Sequence, residues 1–175
     1  MLTEIIPLWS ESEQNVGSGS AIGTFHSCIP TLSWYPADRP ENRGTVIVCP
    51  GGGYEAKTPY EGSPVAEKLN ACGLNAYVLD YRVHPDLHPS PYQDVKRAIH
   101  LARQRTEHNN SRSDRIGVMG FSAGGHLAAS AGTMWDHESC RPDAMILCYP
   151  VITFGKMGHL GSRLNLLGES AQTAL

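Results

Sequence analysis

The chain has 175 residues, 41% of them hydrophobic and 18% charged, enough for one core of moderate size, so a single domain over residues 1–175 is expected. Its 14 Lys and Arg stand against 17 Asp and Glu for a formal charge of −3, and the basic residues are scattered, which argues against a nucleic-acid partner. No apolar run is long enough to span a bilayer, and a start carrying Glu4 and Pro7 without a sustained apolar stretch does not read as a signal peptide, so no membrane partner is expected.

Residues 1 to 44 are irregular, with Trp34, Tyr35 and Pro36 expected to close an antiparallel edge strand before a loop from Ala37 to Gly44. Four short apolar runs follow, Thr45 to Cys49, Ala76 to Tyr81, Arg115 to Met119 and Ala144 to Tyr149, with helical segments between them. Such alternation predicts an α/β fold with a mostly parallel sheet covered by helices on both faces. The first helix spans Val65 to Cys72, with Val65, Leu69 and Cys72 on one face and Gly73 as its stop. In the second, Ser90, Pro91 and Gln93 read as a capping box with proline in the first helical position, and Val95, Ala98, Ile99 and Ala102 follow the i, i+3, i+4, i+7 stripe. A third, Ala123 to Ala131, is rich in small residues that allow close packing. After Pro150 the pattern is lost: Phe154 to Ser170 is rich in Gly, Leu and Ser and carries no strand signal.

Between the third apolar run and the third helix lies Gly120-Phe121-Ser122-Ala123-Gly124, a G-x-S-x-G pentapeptide in strand–turn–helix context. Such an elbow holds its serine in a strained conformation, and the residues two before and two after it must lack side chains. Ser122 is therefore the candidate nucleophile. A serine hydroxyl also needs a base and preorganised donors for the oxyanion. The donors are legible: the first run leads straight into Pro50-Gly51-Gly52-Gly53-Tyr54, and the amides of Gly52 and Gly53, with that of Ala123 at a helix N-terminus, are expected to form the oxyanion hole. A phosphate cradle would need Lys then Ser or Thr after the last glycine, or a G-x-G-x-x-G spacing, and neither is present.

Cys49-Pro50-Gly51-Gly52-Gly53-Tyr54, Glu61-Gly62 with Pro64-Val65-Ala66, Asp80-Tyr81-Arg82 and Gly120 to Ala128 together resemble the α/β-hydrolase fold. More narrowly they resemble its esterase and lipase-like branch, which includes acetylxylan esterases and feruloyl-esterase-like proteins. The resemblance covers most of residues 30 to 152. It implies a serine ester hydrolase acting on short acyl esters, acetyl groups on carbohydrate above all, with Ser122 as nucleophile and Gly52 and Gly53 at the oxyanion. Pro50 stands where the family often has His, a departure from the hormone-sensitive-lipase pattern.

In this fold the nucleophile is followed in the chain by an acid and then a histidine, both on loops after later strands. Beyond Ser122 the carboxylates are Asp136, Glu138, Asp143 and Glu169 and the histidines His126, His137 and His159. Asp136, His137, Glu138 and Asp143 precede the fourth run and fall at the strands' N-terminal end, whereas chemistry in open α/β sheets sits at the opposite end. His126 shares a helical face with Ser122 and reads as a core histidine beneath the elbow. His159 follows a strand at the correct end, with Glu169 after it in reversed order. The expectation is that the chain is the N-terminal part of a larger hydrolase, lacking the last two strands, and that its open sheet edge invites self-association or a completing C-terminal segment. The alternatives are a catalytically incomplete fragment or non-catalytic binding module, and a peptidase or thioesterase on the same scaffold.

Other residues are less specific. Asp80, Tyr81 and Arg82 read as substrate contacts or as an Arg paired with a loop carboxylate. His84 and His88 stand between prolines that prevent helical alignment and read as a solvated loop, and Trp135 reads as packing. Cys28, Cys49, Cys72, Cys140 and Cys148 show neither C-x-x-C nor zinc spacing and are expected reduced and buried. That usage points to the cytoplasm, although a secreted protein stripped of its leader would look the same. No cofactor and no metal are implied.

Overall fold

A computed structural model describes residues 1–10, 28–38, 44–105 and 115–169. Among these described residues six strands form one sheet: β1 (Glu4–Pro7), β2 (Thr31–Tyr35), β3 (Thr45–Cys49), β4 (Asn75–Asp80), β5 (Ile116–Phe121) and β6 (Ala144–Cys148). Their spatial order is β1-β2-β4-β3-β5-β6. The β1–β2 and β2–β4 pairs are antiparallel and the other three are parallel. Among the described residues four α-helices are interspersed: α1 (Ser63–Ala71), α2 (Ser90–Gln104), α3 (Ser122–Thr133) and α4 (Leu160–Leu167). None of the described helices is long and apolar enough to cross a membrane.

The β-branched run of β3 explains its central place, since all five residues are buried and both faces must be apolar. In β4 the period of two is legible: Tyr77 and Leu79 face the larger core, while Ala76 and Val78 face the other side. The larger core takes the α2 stripe of Val95, Ala98, Ile99 and Ala102, together with Leu127, Ala128 and Ala131 of α3. Burying each large aliphatic side chain contributes about 1.5–3 kcal/mol, so this face carries most of the cohesion. The opposite face is covered by α1 through Ala66 and Leu69, over Tyr35, Ala76 and Val78.

Strand order reverses at β3, with β4 on one side and β5 on the other, and it is beyond the C-terminal strand ends at such a reversal that open α/β sheets hold their ligands. The register Cys49↔Gly120 places the glycine loop beside the serine turn.

Several expectations need correction. The Trp34–Tyr35 strand is not an edge: β1 pairs outside it, with Glu4 opposite Trp34. The helix expected from Ser90 has Pro89 as its cap residue with no side-chain capping bond, so Ser90 and Pro91 occupy its first turn and no capping box forms. The segment after Pro150 contains α4, which the Gly, Leu and Ser composition concealed. No disulfide joins the described cysteines, and of the five Cys49 alone is fully buried while Cys72 is exposed. Trp135 lies outside the core at 39% exposure, under the Arg141 guanidinium. The expected loop from Ala37 to Gly44 falls largely outside the described residues.

Candidate active site

Phe121 is extended (φ −116°, ψ 134°), Ser122 is left-handed at φ 51°, and α3 begins at that residue, so strand turns to helix within a single residue. The flanking glycines follow from contact distances. A Cβ on Gly120 would lie 2.0 Å from the Gly124 carbonyl oxygen, and one on Gly124 would lie 2.1 Å from that of Cys49. The elbow is thus wedged between its own helix and the end of β3, with Ser122 half-buried. Its carbonyl accepts from the Val151 amide at 3.1 Å, tying the elbow to the end of β6.

The glycine loop is anchored carbonyl by carbonyl. The Tyr81 hydroxyl donates to the Pro50 oxygen at 2.6 Å, and the Thr58 amide to that of Gly51 at 2.9 Å. The Gly52 oxygen takes the Glu55 and Ala56 amides at 3.1 and 3.2 Å, and the Gly53 oxygen takes Asn165 Nδ2 at 2.9 Å. Gly52 and Gly53 sit at φ 131° and 67°, open to glycine alone at little cost. The Gly51 amide is occupied, donating to Glu61 Oε2 at 2.7 Å. Among the described residues the N–H groups of Gly52, Gly53 and Ala123 have no hydrogen-bond partner, the last standing at the N-terminus of α3.

His126 lies within the same assembly but is turned to other work. Its Nδ1 is 2.8 Å from the buried Tyr54 hydroxyl and its ring packs 4.7 Å from that of Phe154. Burial, with a smaller contribution from His88, holds its pKa below the ordinary value, so the ring is neutral near pH 7. His159 caps α4, Nδ1 accepting from the Ser162 amide at 3.1 Å. It stands beside the glycine loop: a Cβ on Gly53 would lie 3.9 Å from His159 Cε1 and 3.8 Å from Ser162 Oγ. Among the described residues no histidine or carboxylate hydrogen-bonds the Ser122 hydroxyl.

The downstream carboxylates are engaged elsewhere. Asp136 pairs with Lys96 at 2.8 Å and Glu138 with Arg141 at 2.9 Å. Asp143 takes the Ile116 amide at 2.8 Å, at the N-terminal end of β5 and away from the serine, and Glu169 is exposed after α4. Of the less specific residues, Asp80 pairs with Lys57 and Arg82 with Asp94, a fully buried carboxylate on α2 rather than one on a loop. His84 and His88 are exposed. Cys49 lies beneath the loop with its thiol pushed up to about 12 by burial, which leaves it protonated and inert at neutral pH. No group of three metal-ligating side chains occurs among the described residues.

Sequence reasoning assigned neither Glu61, Tyr81 nor Tyr149 as an anchor; it read Tyr81 as a substrate contact, whereas its side chain is fully buried. The first two fall in quoted motifs, but their hydrogen bonds to the glycine loop depend on folded proximity. Tyr149 follows β6 at φ 35°, its ring 6.0 Å from that of Phe121 and its hydroxyl donating to Glu61 Oε1.

Comparison with known proteins places this geometry. Residues 34–147 match the family model described as BD-FAE. The chain is 33% identical over 177 residues to endo-1,4-beta-xylanase B of Butyrivibrio fibrisolvens, covering 93% of this chain and 27% of that protein. It is 36% identical over 134 residues to an acetylxylan esterase of Xylanibacter ruminicola, covering 75% and 28%. Among solved structures, the acetyl ester-xyloside bifunctional hydrolase of Caldicellulosiruptor lactoaceticus superposes with a TM-score of 0.83 at 42% identity, over 95% of this chain and 64% of that one. The chain therefore spans little more than a quarter of those two sequence relatives and under two thirds of that structure.

Proposed function

We propose that this chain, which belongs to the BD-FAE family of α/β hydrolases, is the nucleophile-bearing part of a serine ester hydrolase that removes short acyl groups, acetyl above all, from carbohydrate. The observation that carries the reading is Ser122 at φ 51° on its elbow, beside three backbone N–H groups left without partners. In this reading the Ser122 oxygen attacks the ester carbonyl and its proton passes to a base. The oxyanion of the tetrahedral intermediate is held by Gly52, Gly53 and Ala123. Collapse expels the sugar alcohol, which takes the proton, and water then clears the acyl-enzyme. The acetyl and carbohydrate preference is supported by the names of the relatives and by no contact within the chain.

The reading carries a requirement. Because no histidine hydrogen-bonds the Ser122 hydroxyl among the described residues, this reading takes the base and its acid from outside the described residues. The same observation favours a second reading, a hydrolase-like fragment that binds without turnover. A fluorophosphonate probe separates them. Labelling of the folded 175-residue protein at Ser122, absent in Ser122→Ala, supports the hydrolase; a folded protein that stays unlabelled favours the binding fragment. Residual hydrolysis of p-nitrophenyl acetate is expected even without a base, since oxyanion stabilisation and binding alone retain about 10³ to 10⁴ over water in a triad-deleted protease. Preference for an aminoacyl-p-nitroanilide over the acetate would refute the esterase assignment in favour of a peptidase.

A further inference from the structure

Glu61 ends the short 3₁₀ turn Pro59–Glu61 and is 6% exposed. No cation pairs with it among the described residues. Burying an ionised carboxylate is unfavourable unless its oxygens are fully used, and a Leu of similar size would pack there at lower cost. Both oxygens are used, and neither for the core: Oε2 accepts from the Gly51 amide at 2.7 Å and Oε1 from the Tyr149 hydroxyl. Those partners stand on opposite sides of the nucleophile. Gly51 opens the glycine loop, where an added Cβ would lie 2.7 Å from the Phe121 oxygen and 3.1 Å from Ser122 Cβ. Tyr149 leaves the end of β6 in a left-handed conformation, uncommon and strained for so bulky a residue. One carboxylate thus joins the loops that follow β3 and β6, with the elbow after β5 between them. The bond to Glu61 also pushes the Tyr149 hydroxyl up to about 12, keeping it a donor throughout the neutral range.

We infer that Glu61 is a positioning residue for ester hydrolysis, with Tyr149 as its second anchor: it fixes the Gly51 peptide so that the next two amides point at the oxyanion, and holds the end of β6 against the nucleophile. The inference rests on the hydrolase reading of Ser122. The negative charge at Glu61 does not itself favour an oxyanion; the side chain acts by fixing direction.

The variants are Glu61→Gln, Glu61→Leu and Tyr149→Phe in the 175-residue protein, tested by fluorophosphonate inactivation with the maximal rate separated from probe affinity. Gln keeps an acceptor for the Gly51 amide and can donate to the Tyr149 oxygen, whereas Leu offers neither. Glu61→Leu is expected to lower the maximal rate by about 10²-fold, comparable to losing one oxyanion donor, with probe affinity unchanged. Glu61→Gln should restore most of the rate. Tyr149→Phe, whose ring is exposed and whose fold is therefore safe, should show a smaller loss in the same parameter. Folded Glu61→Leu labelled at the wild-type rate, or Glu61→Gln no better than Leu, would overturn the inference. A folded wild type that resists the probe would instead strike the hydrolase reading, and the clamp is then judged by NMR. A downfield Gly51 amide, with Gly52 and Gly53 signals that move in Glu61→Leu and return in Glu61→Gln, supports the clamp; signals indifferent to all three variants overturn it.

Discussion

Replacing Gly124 by Ala sets a methyl carbon 2.1 Å from the Cys49 oxygen and 2.5 Å from that of Pro50, both backbone atoms that cannot rotate away. The elbow would have to separate from β3, at a cost of about 1–3 kcal/mol, typical of overpacking, and urea unfolding should report it as a lower midpoint at unchanged slope. His126 gives a pH-dependent counterpart. Its folded pKa lies below the ordinary 6.5, so the native ring binds fewer protons than the unfolded one. Its contribution to stability is therefore complete above about 6.5 and is lost as pH falls from there through the lower folded value. Comparing urea midpoints at pH 7.5 and 5, the loss on acidification should shrink in His126→Phe, and an unchanged loss would move the effect to another group.

The helix α2 shows how a local signal and a tertiary contact compete. Because Ser90 makes no capping bond, Ser90→Ala should change stability far less than the about 1 kcal/mol of a true N-cap, a difference visible in thermal or urea unfolding. Asp94, four residues further on, matters more. It is fully buried, receives Arg82 through its guanidinium and amide, and takes Trp9 Nε1 at 2.8 Å, so it ties the end of β4 and the N-terminal segment to α2. Asp94→Ala would leave Arg82 largely buried and uncompensated, a loss of about 3–5 kcal/mol in chemical denaturation. What was legible in these elements follows the same division. β3 is found at the predicted residues because an uninterrupted β-branched run has one reading, and β4, β5 and β6 differ from expectation by no more than two residues at either end. β1 and α4 were missed because their patterns are weak in isolation. β1 is four residues, three of them exposed, and the buried side of α4 carries Ser162, whose polarity masks its periodicity, although Gly168 at φ 78° after Leu167 was an available stop signal.

For the whole molecule, the nucleophile and glycine loop were readable from spacing because the turn chemistry at Gly120, Ser122 and Gly124 is imposed by backbone sterics. The anchors Tyr81, Glu61 and Tyr149 were not, since Tyr81 and Glu61 meet the loop, and Tyr149 meets Glu61, only once the chain is folded. The same sheet leaves β6 with Met145, Ile146 and Leu147 each 41–43% exposed and, among the described residues, no strand beyond it. An apolar parallel edge of this kind promotes association. Sedimentation velocity should show concentration-dependent self-association that Ile146→Lys reduces without altering the circular dichroism spectrum, and a strictly monomeric wild type would contradict this. The tethered carbonyls of Pro50 to Gly53 have a last consequence. Dipoles fastened at their oxygen ends cannot swing round to follow an arriving charge, so the pocket is poled in advance, as in an electret. A flat ester would meet a field suited to its tetrahedral adduct, and a boronate, already tetrahedral once joined to Ser122, should be held more firmly than any acetate.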